Sequence, residues 1–130
     1  PVVRLQRYAS QSYQLGNTGI TLEKGSMVNI LAYVMHHNEE YFPSPDQFKP
    51  ERFLPENRHL IKPYTYLPFG TGPRNCVGMR FGLLEAKLAL AKIITKYKFV
   101  KSANTQVPLE FLPFRPILAP KSIIVGVQHR

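Results

Sequence analysis

Acidic residues are scarce in this chain: eight Asp and Glu stand against seventeen Lys and Arg in 130 positions, a formal charge of +9. That imbalance points to an acidic partner or surface. Nucleic acid is the first to weigh, but the basic residues are scattered rather than massed. No helix-turn-helix, zinc-finger or aromatic RNA-binding signature occurs, so no nucleic-acid role is read. Cysteine is scarcer still. The single Cys76 excludes an internal disulfide and an all-cysteine zinc site, and suits a reducing compartment. No run of about 18 apolar residues is present, so no segment is read as spanning a membrane. The sequence opens at Pro1 without an initiator methionine or a signal-peptide pattern, from which a piece of a longer protein is expected.

With 44% hydrophobic residues the chain has enough apolar material for a core. Tyr13–Leu15, Ile20–Leu22 and Met27–Leu31 are short apolar runs separated by glycine-bearing turns, and read as two or three strands in a hairpin arrangement. Residues 38–68 hold Pro43, Pro45, Pro50, Pro55, Pro63 and Pro68, which forbid a long helix or a central strand. The aromatics between them, Tyr41, Phe42, Phe48, Phe53, Tyr64 and Tyr66, are too apolar for a disordered linker, so an ordered meander is expected. Val77–Lys98, rich in Ala, Leu, Glu and Lys, predicts one long helix with apolar residues on almost every face, as in a helix mostly buried in a larger body. Val107–Val127 reads as a closing β-hairpin with an irregular tip. The fold class is α+β.

The most informative stretch is Phe69–Gly78, FGTGPRNCVG, which sets the lone cysteine at the end of a glycine-punctuated loop just before the long helix. The positive end of a helix and its unpaired N–H groups favour sulfur as an anion, a nucleophile or a metal ligand. Gly70, Gly72 and Gly78 permit dihedrals closed to other residues and let backbone come close to whatever lies over Cys76, while Pro73 stiffens the loop. Together these residues suit a rigid cradle for a flat group.

The pattern F-x-x-G-x-R-x-C-x-G, and the wider string PFGTGPRNCVGMRFGLLEAK, resembles the haem-binding loop of the cytochromes P-450, most closely their microsomal, drug- and toxin-oxidising branch. The resemblance implies that residues 1–130 are the C-terminal part of one mainly α cytochrome P-450 domain, with no separate second domain. It implies haem b (iron protoporphyrin IX) as cofactor, Cys76 as the axial ligand of its iron, and a haem-thiolate monooxygenase. Such an enzyme inserts one oxygen atom of O2 into an apolar organic substrate, using NADPH-derived electrons delivered by NADPH-cytochrome P-450 reductase. A thiolate ligand donates electron density that favours O–O cleavage.

Further roles follow from the same resemblance. Arg74 would pair with a haem propionate through its fork of donors, and Phe69 would shield the sulfur, with Gly70 and Gly78 completing the cofactor loop. PVVRLQR resembles a segment that supplies a second propionate contact, a role falling on Arg7, and Arg4 less closely. Val2, Val3 and Leu5 would line the substrate pocket, as would Leu112 and Phe114 at the tip of the last hairpin. Arg52 in FKPERF resembles the arginine that joins an upstream Glu-x-x-Arg pair. With that helix outside the sequence, Arg52 is expected to be a charge without its partner, structural rather than catalytic. Arg80 and Lys87 share a stripe on the long helix and would meet the acidic reductase. The family's usual N-terminal anchor would place the protein on the cytosolic face of the endoplasmic reticulum membrane. The oxygen-activating helix lies outside the sequence, so the isolated chain is expected to be inactive.

Two other classes stay open. The family also holds isomerases and dehydratases that need no reductase, and a non-catalytic basic binding module remains an alternative. His36, His37, His59 and His129 are not read as a metal site, because the adjacent pair faces different ways in regular structure. A cysteine hydrolase would need His and Asn or Asp around Cys76, and this loop resembles no such nucleophile loop.

Overall fold

Among the described residues, three antiparallel pairs of short strands accompany one long helix, one short helix and three 3-10 turns. β1 (Leu5–Tyr8) pairs with β4 (Met27–Ile30), Leu5 opposite Ile30 and Arg7 opposite Val28. Between them β2 (Tyr13–Gln14) pairs with β3 (Thr21–Leu22). Gly16 and Gly19, at φ 50° and 75°, carry the turn of this inner hairpin. The hydroxyl of Thr18 donates to the carbonyl of Leu15 within it. The expected strands are present but shorter, and Met27–Ile30 pairs with Leu5–Tyr8 instead of joining the neighbouring hairpin. LQRY gives no strand signal by itself, because an isolated alternation of four residues is weak without its partner.

This computed structural model describes residues 2–130 and separates into two units, the first running to Pro68 and the second covering Phe69–Arg130. In the first, α1 (Ala32–His36) follows β4 and leads into the proline-rich meander, which is ordered as expected. Two 3-10 helices, Pro50–Phe53 and Pro55–Leu60, each carry proline in their first turn, where its missing N–H costs nothing. Ala32, Phe42 and Leu67 are the buried apolar residues of this unit, and Thr65 is buried with its hydroxyl donating to the carbonyl of Lys62.

In the second unit a 3-10 turn (Gly72–Arg74) precedes α2 (Met79–Ile94), and β5 (Tyr97–Val100) pairs with β6 (Gly126–His129). The long helix is therefore shorter than Val77–Lys98 at both ends. Residues 76–79 form a turn, with the Met79 amide bonded to the Cys76 carbonyl at 3.3 Å. At the other end YKFV leaves the helix because aromatic and β-branched residues pair well across a two-stranded ladder. No residue of α2 is buried. The closing hairpin holds only around its middle, where Leu112 donates to Ala119, Lys121 donates to Glu110 and Phe111 bridges Pro120. Val127 belongs to β6, so the outer end of the expected hairpin pairs with Tyr97–Val100 rather than with Val107. The mixture of helices and small sheets is α+β.

Candidate functional site

The loop 69–76 closes on itself. The amide of Cys76 donates to the carbonyl of Phe69 at 2.8 Å, and the Asn75 amide donates to Gly72 at 3.1 Å, so the backbone leading to the sulfur is tied at both its start and its middle. Gly70 and Gly72 lie at φ 72° and 76°, in the left-handed region where a Cβ is strained. Gly78 differs from the expectation: its φ is −83°, open to any residue, and it is the N-cap of α2. Its part in the site is the room it leaves. A Cβ built at Gly72 or Gly78 would meet nothing within 4 Å.

Cys76 is a free, exposed cysteine at the end of this loop. It lies two residues before the N-cap of α2, one turn ahead of the helix rather than on its first residue. Val77 beside it is fully exposed, at 103%, and Phe81 on the first turn of α2 is 72% exposed. An uncovered thiol, two glycines with open space over them and uncovered apolar side chains make a surface that a flat, largely apolar ligand can cover.

The sequence pattern of that loop is matched by a known family: the sequence model for cytochrome P-450 aligns with residues 1–127. The chain belongs to the cytochrome P-450 family. It is 46% identical over 122 residues to cytochrome P-450 3A2 of Rattus norvegicus, covering 94% of this chain and 24% of that protein. It is 46% identical over 107 residues to cytochrome P-450 3A19 of Capra hircus aegagrus, covering 82% of this chain and 48% of that one. With cytochrome P-450 3A12 of Canis lupus familiaris the identity is 39% over 127 residues, 98% of this chain and 25% of that protein. The chain thus spans about a quarter of the rat and dog relatives and about half of the goat protein.

Membership of the cytochromes P-450 implies a haem-iron cofactor. The donor set fits one: an exposed sulfur on a closed loop, with the room above Gly72 and Gly78 that a macrocycle needs. Arg74 ends the 3-10 turn two residues before Cys76 and is exposed. Arg80 and Lys87 are exposed on α2. These residues, with Phe69, Gly70, Gly78, Leu112 and Phe114, all belong to the second unit, where Phe69 and Cys76 meet through their backbone at 2.8 Å. Phe114, at φ 56°, is fully exposed at the hairpin tip, while Leu112 is pinned through its amide to Ala119.

The remaining expected residues belong to the first unit. Arg7 lies on β1, half-buried, and its Nη1 donates to the carbonyl of Gln6 at 2.8 Å. Val2, Val3 and Leu5 are half-buried, and the Val3 carbonyl accepts the amide of Tyr33 at 3.0 Å. The guanidinium of Arg52 is hydrogen-bonded within its own unit: Nη2 donates to the carbonyl of Ser44 at 2.7 Å. Ser44 sits at φ 52°, and its carbonyl also receives the Gln47 amide at 3.1 Å, so the turn presents an acceptor to the arginine.

One contact escaped the sequence entirely. His36 Nε2 accepts the amide of Leu67 at 2.8 Å, thirty-one residues away. Nothing in the local pattern names that partner; the only signal is the position of His36 at the end of a strand-to-helix element.

Proposed function

We propose that this chain is the haem-ligating portion of a haem-thiolate monooxygenase, residues 1–130 forming part of one cytochrome P-450 domain. The observation that carries the reading is Cys76, exposed at the end of the closed loop 69–76 in a chain of this family. Cys76 would hold the iron of haem b through its sulfur, with Arg74 and Arg7 binding the propionates by charge-assisted hydrogen bonds. When bound, the haem supplies the activation of dioxygen and the transfer of one oxygen atom to an apolar organic molecule.

The protein's own contributions are binding, orientation and field. The Phe69 carbonyl and the Gly72 carbonyl tie the loop amides, which fixes where the sulfur sits before any ligand arrives. Phe69 is half-buried and would keep water from the sulfur on the proximal side. Gly70 and Gly78 let the loop backbone approach the cofactor. Val2, Val3, Leu5, Leu112 and Phe114 would supply apolar walls for the substrate, and Arg52 holds the meander. Exposed Arg80 and Lys87 would receive an acidic, NADPH-dependent reductase.

We place the protein at the endoplasmic reticulum membrane, facing the cytosol, on its similarity to the 3A proteins. Among the described residues no helix is long and apolar enough to cross a membrane. The test is a reduced, carbon monoxide difference spectrum of the complete polypeptide with haem. A strongly red-shifted Soret band supports a thiolate-ligated haem; absence of haem binding removes the proposal.

A further inference from the structure

The bond between His36 and Leu67 fixes the state of the imidazole. A backbone N–H can only donate, so Nε2 must be the unprotonated nitrogen, and the ring carries its single proton on Nδ1. The ring is half-buried at the end of α1, set edge-on to Phe42 at 6.1 Å between centroids and tilted against Tyr66 at 5.4 Å. Phe42 and Leu67 are two of the three buried apolar residues in the described structure, so this contact ties the end of the meander to the interior of its unit.

The groups facing His36 offer a proton no counter-charge. His37 is next along the chain, stacked on Tyr33 with its Nδ1 against the Tyr33 carbonyl. The phenol of Tyr66 has its pKa pushed up by burial, so it stays neutral. Lys49 and Arg52 line the cavity of about 290 Å³ that His36 borders, with Phe42, Phe53 and Tyr66 on its walls. No carboxylate lines that cavity among the described residues. Burial first, and then the neighbouring His37, hold the pKa of His36 below its ordinary 6.5.

We propose that His36 is an acid-released pin: neutral, it accepts the Leu67 amide and holds residues 65–67 on α1, and protonation turns that acceptor into a donor and frees them. Two N–H groups then face each other in a part-buried site, and neither has its bond. The sign follows from linkage. A histidine whose folded pKa is depressed lets the open state take the proton first, so the closing energy is fully present above 6.5 and is lost as pH falls from there through the folded pKa. This pin is independent of the haem reading, since every group in it belongs to the first unit.

Hydrogen–deuterium exchange of the complete polypeptide, read by mass spectrometry on peptides covering Leu67 and corrected for intrinsic rates, tests it between about pH 7.5 and about pH 5. The expected result is a fall in Leu67 protection as pH drops below 6.5, by less than about tenfold per pH unit, levelling off below the ring's own pKa. The amide of Leu112, bonded to the Ala119 carbonyl, serves as an internal control whose protection stays constant. In His36→Gln, whose side-chain oxygen accepts at every pH, Leu67 protection becomes independent of pH. Protection in the wild-type protein that does not change with pH overturns the proposal without need of the variant, and an equal loss in both proteins does the same.

Discussion

The amide of Cys76 and the carbonyl of Phe69, 2.8 Å apart, turn eight residues of chain into a closed ring that delivers the only sulfhydryl of the sequence to the surface. Both glycines inside that ring with left-handed backbone, Gly70 and Gly72, are there because the ring cannot close with ordinary dihedrals at those points. A polar backbone bond and two dihedral choices, rather than side-chain packing, set the position of the sulfur.

Gly72→Ala should therefore cost about 1–2 kcal/mol through strain alone, because its Cβ meets no atom within 4 Å. Gly78→Ala, with φ at −83° and equal room, should cost less than about 1 kcal/mol, the modest penalty of alanine at an N-cap. Denaturant midpoints of the two variants in the complete polypeptide check the ordering.

At Gly126 the constraint is steric. A Cβ there would stand 2.8 Å from Val100 Cγ2 and 3.3 Å from the Val100 carbonyl oxygen, across the β5–β6 pair. Gly126→Ala should destabilise by about 1–3 kcal/mol. Adding Val100→Ala should recover part of the loss, with a coupling of about 0.5–2 kcal/mol in the double-mutant cycle. Additive effects would show that the clash is not the cause.

Removing the Arg52 guanidinium takes a charged donor from the Ser44 carbonyl, which keeps its bond from the Gln47 amide. Arg52→Ala should lower stability by about 1.5–3 kcal/mol. Arg52→Lys, a point charge without the planar fork, should recover only part of that. Chemical denaturation of the three proteins is the measurement.

On α2, Arg80 and Lys87 are seven residues apart, about 10 Å along one face. If that face meets an acidic reductase, reversing both to Glu should slow reductase-supported turnover by about tenfold at low ionic strength and flatten its salt dependence. Stopped-flow reduction rates against salt decide it; unchanged kinetics remove the surface from the account.

Legibility from sequence was uneven, for physical reasons. The Cys76 loop was readable because glycine, proline and cysteine at fixed offsets are local signals, and the family match bears out the resemblance built on them. The long helix was readable in its interior but not at its ends. Tyr97–Val100 is released from it by pairing with Gly126–His129, and a partner nearly thirty residues away leaves no local mark. The same blindness hid the pairing of β1 with β4 and the bond from Leu67 to His36. The acceptor that Arg52 finds was equally hidden, because a left-handed serine eight residues away turns a backbone carbonyl toward it and no side-chain pattern marks that.

The most direct test replaces Cys76 by serine in the complete polypeptide and compares both proteins, loaded with haem and reduced under carbon monoxide. The account predicts a strongly red-shifted Soret band and substrate oxidation in the wild-type protein, with both lost in Cys76→Ser. Pigment, band and oxidation that persist unaltered in the variant would contradict it.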